Sequence, residues 1–578
     1  MKNLFIIGAF AFLLGQSNAQ SVYKIASLNE DDTMEVHEVL LPDPPMAAPS
    51  DVSPDPFLSY GQPAYFIKNQ RGLALADLDG DGLEDMIFGI NDTLYARKGN
   101  GDFLFKKKFN KPVLMPVAVA DMDNDGFPDI ILNYGHSSSQ GGGVTLLDRE
   151  GNEFPGWPVA VGKQMSSALA VSDLDGDGIF EIVSAERTYP TGLLHIFKID
   201  GSSYSSDWPA ELATVPAATP SIGDINNDGV KDIVMMSYSE MNAFNLDGTQ
   251  LDGFPVSEAG VSYSYQSPIL VDLDGDDTLE IVGANHGDHS RYFVMKSNGS
   301  FMDGWPYNLP GWTYAPPTVA DVDDNGSYEI FMGYPSMSFN GEELPAMYGF
   351  ESDGTLLEGF PIMKEGGNES VVSIADVNND GVMDLVFGSN MTDADGYGFI
   401  HAYAADGSGQ VDGFPLRPIG FTYMNGSVLG DVDGDGQLDL TALSYSSFSP
   451  SGVDSIYINT YNLGVPYHPD KILRSGYKGN NTRDGLIDKA QMGVSDVFTN
   501  QIQIYPNPSN GILNIRLEKE PKDFGLTVLD MTGRKVYFDN GIKNQKLLNY
   551  DLSSLPKGVY LIYITADRQS NAVKWIKK

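Results

Sequence analysis

The residues of this chain best suited to chemistry are carboxylates set at alternate positions. Asp77-Leu78-Asp79-Gly80-Asp81-Gly82-Leu83-Glu84-Asp85 puts acids at the first, third, fifth and ninth places of a nine-residue segment. Gly at the sixth place permits a sharp turn, and the seventh residue can offer its backbone carbonyl. Hard oxygen donors at this density suit Ca²⁺, which takes six to eight of them. The pattern D-x-[DN]-x-[DN]-G-x-x-[DE] recurs eight times, beginning at Asp77, Asp121, Asp173, Asp224, Asp272, Asp321, Asp376 and Asp431. In the fifth copy Asp277 replaces the turn Gly.

The expected ligands are Asp77, Asp79, Asp81, Leu83 and Asp85 in the first loop, and Asp121, Asp123, Asp125, Phe127 and Asp129 in the second. The third supplies Asp173, Asp175, Asp177, Ile179 and Glu181, and the fourth Asp224, Asn226, Asp228, Val230 and Asp232. The fifth supplies Asp272, Asp274, Asp276, Thr278 and Glu280, and the sixth Asp321, Asp323, Asn325, Ser327 and Glu329. The last two supply Asp376, Asn378, Asp380, Val382 and Asp384, then Asp431, Asp433, Asp435, Gln437 and Asp439. The seventh-place residue of each set contributes only its carbonyl. Up to eight Ca²⁺ are expected. Without metal, three or four carboxylates within a few ångströms repel one another, so metal binding and folding should be coupled. The loop resembles the first half of an EF-hand loop but lacks the Glu at place twelve. That place holds Phe88 or Leu132, in the middle of a strand, so the loop joins strands rather than helices.

The elements that position these loops read as short strands. Ala168-Leu169-Ala170-Val171 precedes the third loop, Ile182-Val183-Ser184 follows it, and Leu193-Leu194-His195-Ile196-Phe197 comes next. A second marker lies between copies, a turn followed by Trp157-Pro158, Trp208-Pro209, Phe254-Pro255, Trp305-Pro306, Phe360-Pro361 or Phe414-Pro415. Three or four strands in each interval of 44 to 55 residues fit the blade of a β-propeller. The repeats resemble the FG-GAP/VCBS family, the calcium-loop repeat of integrin α-subunit heads and many bacterial surface proteins. The resemblance covers residues 57–465. It implies a propeller with Ca²⁺ between the first two strands of each blade. Eight motifs favour eight blades, with seven, as in integrin heads, the alternative.

The 578-residue chain has 78 acids against 36 bases, a net charge of −42, which argues against a nucleic-acid partner. It has no Cys, so disulfides, thiolate metal sites and Cys nucleophiles are excluded. Lys2, the apolar run Leu4 to Leu14 and Ser17-Asn18-Ala19 have the layout of a secretory signal peptide over 1–19. No later run is long and apolar enough for a transmembrane segment. Residues 20–56 form a lead-in ending in a Pro-rich linker, and its stretch 20–41 could add a strand that closes the ring. Residues 466–499 are polar, carry Gly476, Gly479 and Gly485, and are expected to be a linker.

From Gln501 the charge reverses, with 12 Lys and Arg against 7 Asp and Glu. Strand-like runs at Ile502–Tyr505, Ile512–Ile515, Leu526–Leu529 and Val559–Tyr563 predict a small β-sandwich over 500–578. Tyr505-Pro506-Asn507-Pro508, Asp530-Met531-Thr532-Gly533-Arg534, Leu555-Pro556-Lys557-Gly558-Val559-Tyr560 and the terminal Lys574-Trp575-Ile576-Lys577-Lys578 follow in that order. They resemble the type A C-terminal sorting domain of the type IX secretion system. The resemblance implies Sec export, engagement of the type IX machinery, and release or attachment at the outer cell surface.

No nucleophile elbow, Walker A loop or H-E-x-x-H motif is present. The close pair His286 and His289 is read as part of a polar exposed loop. Three connections opposite the acidic loops carry paired aromatics: Tyr263 and Tyr265, Trp312 and Tyr314, Phe421 and Tyr423. Residues i and i+2 of an extended stretch share a side, so each pair could form a two-ring shelf. Packing between blades would bury such a shelf and a binding surface would expose it. The expectation is that at least one pair, Trp312 and Tyr314 foremost, is exposed. The reading is an all-β, secreted or surface, non-catalytic calcium propeller that binds an extracellular glycan or protein. The alternative is a polysaccharide lyase or glycosidase built on the same propeller.

Overall fold

The computed structural model describes residues 20–28, 34–42, 55–64, 72–135, 141–161, 164–165, 167–216, 218–263, 266–309, 311, 313–335, 344–446 and 454–487. In the C-terminal part it describes 502–505, 509–517, 524–530, 535–540, 546–566 and 569–578. The expected signal peptide lies outside these residues. The chain divides into two compact units, one of residues 1–467 with 474–486, the other of 468–473 with 487–578.

Eight small antiparallel sheets follow one another through the first unit. Their first strands are Ala74–Ala76, Ala118–Ala120, Ala170–Ser172, Ser221–Gly223, Ile269–Val271, Thr318–Ala320, Ser373–Ala375 and Ser427–Gly430. Most are small–large–small, such as Ala-Val-Ala and Ser-Ile-Ala, and nearly all are buried. Small side chains fit where eight strands converge: a Cβ at Gly223 would meet Leu279, Leu270 and Leu486. An acidic loop joins each first strand to the next strand. The first strand of the eighth sheet touches the first strand of the first sheet, so the β-propeller is a closed ring.

Closure uses both ends of the repeat region. The last strand of the eighth sheet is Leu58–Ala64, antiparallel to Asp454–Pro466 from Leu58 opposite Thr460 to Ala64 opposite Asp454. The stretch proposed for that role is something else. Gln20–Leu28 and Met34–Pro42 form a hairpin whose first strand pairs with Met391–Asp393 in the seventh repeat. Its rings and branched side chains, Tyr23, Ile25, Val39 and Leu41, bury against Met391 and Phe399.

Neighbouring sheets are clamped by the aromatic–Pro turns. Trp157 Nε1–H donates to Ile199 O (2.7 Å), Trp208 Nε1–H to Leu246 O (2.8 Å) and Trp305 Nε1–H to Ser352 O (3.0 Å), each in the next repeat. The turn must pass close to its neighbour. Gly304 has φ +89°, and a Cβ there would lie 1.9 Å from Asp353 O.

Part of the expected linker is instead the centre of the ring. Residues 474–486 reach every first strand. Asn481 Nδ2–H donates to Leu75 O, and the amides of Val119, Val171, Ile222 and Leu270 donate to the carbonyls of Asn481, Thr482, Asp484 and Gly485. Arg474 Nε–H donates to Val319 O, Gly476 N–H to Ser373 Oγ, and Leu429 N–H to Ser475 Oγ. The first strands have free backbone groups facing the axis, and this segment satisfies them.

The second unit contains two sheets. One orders Ile502–Tyr505, Ile512–Leu517 and Leu547–Asp551; the other orders Lys535–Asn540, Phe524–Asp530, Gly558–Ala566 and Gln569–Lys577. Their shared core centres on the fully buried Trp575, with Tyr560 5.7 Å away, ring to ring. Lys577 Nζ–H donates to Ser553 O (2.7 Å) and also to Leu555 O, and Lys578 N–H donates to Ser509 O. Thus the last two sequence words pack together, while Pro506–Pro508 of the first lie outside the described residues. The Asp530–Arg534 word lies largely outside the described residues.

Trp208→Phe keeps an aromatic ring, smaller than the indole, and removes the bond to Leu246. It should lower unfolding free energy by about 1 kcal/mol, and Trp208→Ala by about 3–5 kcal/mol. Equilibrium urea denaturation followed by tryptophan fluorescence checks both.

Candidate metal centre

All eight acidic loops share one hydrogen-bond scheme. The ninth-place acid stands at or near the start of the second strand of each sheet, and one of its oxygens accepts the N–H of the second-place residue. The distances are 3.0 Å for Asp85, 2.9 Å for Asp129, 2.9 Å for Glu181, 3.1 Å for Asp232, 2.8 Å for Glu280, 2.8 Å for Glu329, 3.0 Å for Asp384 and 3.1 Å for Asp439. The fifth-place side chain accepts the N–H of the seventh residue, as from Leu83 to Asp81 at 3.0 Å. In the seven loops with Gly at place six, that Gly donates to the first-place Asp, as Gly82 to Asp77 at 2.9 Å. The loop is therefore wound inward around its own carboxylates.

The scheme gathers oxygens. One carboxylate oxygen from each of Asp77, Asp79 and Asp85 lies within 4.8 Å of the others, and so do those of Asp121, Asp123 and Asp129. The sets Asp173, Asp175, Glu181 and Asp321, Asp323, Glu329 do the same, as do Asp272, Asp274 and Asp276 in the fifth loop. The fifth loop keeps its shape because Asp277 adopts φ +67° where the others have Gly. Asp is one of the few side chains that tolerate this conformation.

The ninth-place acids are all buried. Burial pushes Asp85 up to about 6, Asp129, Glu181, Asp232, Glu280, Glu329 and Asp384 up to about 7, and Asp439 up to about 8. The second-place N–H opposes this rise, and neighbouring loop carboxylates add to it. Glu280 Oε1, Asp384 Oδ1 and Asp439 Oδ1 are buried without a hydrogen-bond partner among the described residues. A buried anionic oxygen with no donor is costly unless a cation meets it. The donor set, carboxylate and amide oxygens with no nitrogen or sulfur, fits a hard divalent ion. Two loops carry a cation of their own: Lys98 Nζ sits 2.6 Å from Asp79 Oδ2 and 2.7 Å from Asp81 Oδ2, and Lys296 Nζ 2.8 Å from Asp274 Oδ2.

The fourth place escaped sequence reasoning. It holds Gly80, Asn124, Gly176, Asn227, Gly275, Asp324, Asn379 and Gly434, all with φ between +56° and +78°. The signal was available, because only Gly, Asn and Asp occur there. Asn124 also donates Nδ2–H to Gly178 O of the next loop (3.1 Å).

The four described rings of the expected aromatic shelves are not exposed. Tyr263, Tyr314, Phe421 and Tyr423 are each at most 3 % exposed, and Tyr265 and Trp312 lie outside the described residues. Tyr263 packs with Val234 and Met236 of the fourth sheet and Ile281 and Phe293 of the fifth. Phe421 and Tyr423 pack with Leu443 and Tyr445 of the eighth sheet and Met86 and Phe88 of the first. Sheets diverge from the axis, and these rings fill the wedges between them. His286, read as exposed, is also buried, on the strand Glu280–Gly287 beside Tyr314.

The repeated loop and its flanking strands match the family model of an FG-GAP-like repeat over residues 77–132 and 139–235. The chain also carries a secretion system C-terminal sorting domain over 503–578, the address of type IX secretion to the cell surface or outside. No helix among the described residues is long and apolar enough to cross a membrane. No curated protein matches the chain. Among solved structures it is similar to the Vibrio cholerae biofilm matrix protein Bap1, at 14 % identity over 90 % of each chain with a TM-score of 0.31. It is also similar to BBS1N in complex with ARL6DN, at 11 % identity over 70 % of this chain and 95 % of that one with a TM-score of 0.36. A third is the quinohemoprotein alcohol dehydrogenase of Comamonas testosteroni, at 10 % identity over 69 % of this chain and 77 % of that one with a TM-score of 0.37.

The ninth-place acids set a pH dependence for the metal-free protein. Their folded pKa values lie above the unfolded values of about 4. The folded state therefore holds more protons, and stability falls as pH rises from about 4 through about 8. Melting temperature in chelator should drop across that window. A metal-free protein that melts higher at pH 8 than at pH 5 would contradict the assignment. Asn124→Gly should be nearly neutral at this position, and Asn124→Ala should cost about 1 kcal/mol because of the left-handed backbone.

Proposed function

We propose that this chain is a secreted propeller stapled by calcium, acting as a non-catalytic module for an extracellular glycan or protein. The observation that carries the metal reading is the common loop scheme, which holds a buried carboxylate against two or three others in loop after loop. Bound Ca²⁺ would supply the positive charge that the Asp, Asn and Glu oxygens of the first, third, fifth and ninth places converge on. The protein residues do the rest: the second-place N–H orients the ninth-place acid, and the turn residues hold the first-place Asp.

Three exposed tyrosines support the binding reading. Tyr189, Tyr238 and Tyr397 are 77 %, 54 % and 42 % exposed. Tyr189 and Tyr238 lie between the second and third strands of their sheets, and Tyr397 just before the third strand of the seventh. Those connections are at the opposite strand ends from the acidic loops. Exposed phenol rings can stack on sugar faces or anchor a protein partner.

Chelation should lower the melting temperature by several degrees and added Ca²⁺ should restore it. Identical melts would refute the calcium reading. In a calorimetric titration the first and fifth loops should fill last, because Lys98 and Lys296 already engage their acids. Lys98→Met should tighten one class of sites. For the ligand, a glycan array probed with the calcium-loaded protein should give hits that Tyr238→Ala weakens about tenfold while the melt stays unchanged. Hits unaffected by alanine at Tyr189, Tyr238 and Tyr397 together would place the ligand elsewhere.

A further inference from the structure

The axial segment is built like a bound ligand rather than a connector. Tyr477 is buried, and its hydroxyl lies 2.9 Å from Thr219 Oγ1 and 2.5 Å from Ser267 Oγ, in the fourth and fifth repeats. Its ring packs on Ala168 and Val371, from the third and seventh repeats, so one side chain spans the axis. The guanidinium of Arg483 is fully buried and donates to four carbonyls. Two belong to the ring, Val117 O (3.0 Å) and Leu73 O (3.3 Å). Two belong to the segment itself, Tyr477 O (2.7 Å) and Asn480 O (2.6 Å). Lys478 Nζ donates to Pro220 O (2.5 Å) and Ser221 Oγ (2.7 Å).

We propose that residues 474–486 are an axial pin, for which the channel of the propeller is a peptide-binding site filled by the protein's own chain. The chemistry is complementary on both sides. Eight converging strands present carbonyls and amides toward the axis and carry no basic side chain there. The segment brings Arg474, Lys478 and Arg483 as donors and its own carbonyls as acceptors. Its left-handed residues Lys478 and Arg483, with φ +60° and +58°, fold it back on itself so that different stretches face different sheets. Two consequences follow. The pin couples the sheets to one another independently of the acidic loops. It also occupies the axis, so an external ligand is taken on the loop faces and not in the channel.

The test uses the full-length, calcium-loaded protein and amide hydrogen exchange. The amides of Val119, Val171, Ile222 and Leu270 donate to carbonyls of the pin, so their protection reports its seating. They should be protected in the wild type to the level of the second strands. Arg483→Met should speed their exchange by at least about tenfold relative to outer-strand amides and lower the melting temperature. Tyr477→Phe, which keeps the ring and loses two hydroxyl contacts, should act in the same direction by less. Because Tyr477→Phe alters only one hydroxyl, it reports even where the Arg483 variant fails to fold. The proposal is overturned if the four amides exchange as fast as exposed loop amides in the wild type. It is also overturned if neither variant changes their exchange or the melt.

Discussion

Crowded negative charge is the constraint on which the rest of this structure depends. Each repeat buries one carboxylate at the start of a strand and sets two or three more beside it. A buried carboxylate is tolerated only if donors or cations meet it. The fold provides one amide donor per buried acid, and in two loops a lysine. In at least five loops three carboxylate oxygens come within 4.8 Å of one another. The same acids join the first two strands of each sheet, so the charge problem and the scaffold are not separable. With 62.7 kDa of chain and no cysteine, the propeller has no covalent staple to fall back on.

The ring distributes its cohesion over four kinds of contact. Acidic loops tie strands within a sheet. Three Trp indoles each tie their sheet to the next. At the axis, the segment 474–486 bonds to all eight first strands. Closure by Leu58–Ala64 joins a strand from before the repeats to one at their end and completes a four-stranded eighth sheet. The last two devices bring together residues some four hundred positions apart, as with Leu58 and Thr460 or Asn481 and Leu75.

The C-terminal unit follows different physics. It reverses the charge of the rest of the chain and relies on an apolar core around Trp575. Its terminal lysines are not merely a basic tail. Lys577 is buried and spends its ammonium on the carbonyls of Ser553 and Leu555, which fixes the last strand to the turn before Gly558. The last two sorting words are thus packing and capping residues of one small sandwich.

Local chemistry was legible in the linear chain, because it is written at fixed spacing. The acids at alternate places, the turn glycines and the aromatic–Pro marker all act over fewer than ten residues, and the strands they bound are short apolar runs. Even Asp277 could have been read correctly, since Asp tolerates the left-handed backbone that the sixth place imposes. Residues that act across the ring were not legible. Tyr263, Phe421 and Tyr423 looked like a surface because their spacing is that of an extended stretch, but the wedge between two diverging sheets buries them. Gly476, Gly479 and Gly485 looked like linker residues because glycine marks flexibility and tight folding alike. What distinguishes the two is the axial channel, which exists only once eight sheets have closed around it and offered their carbonyls to Arg483.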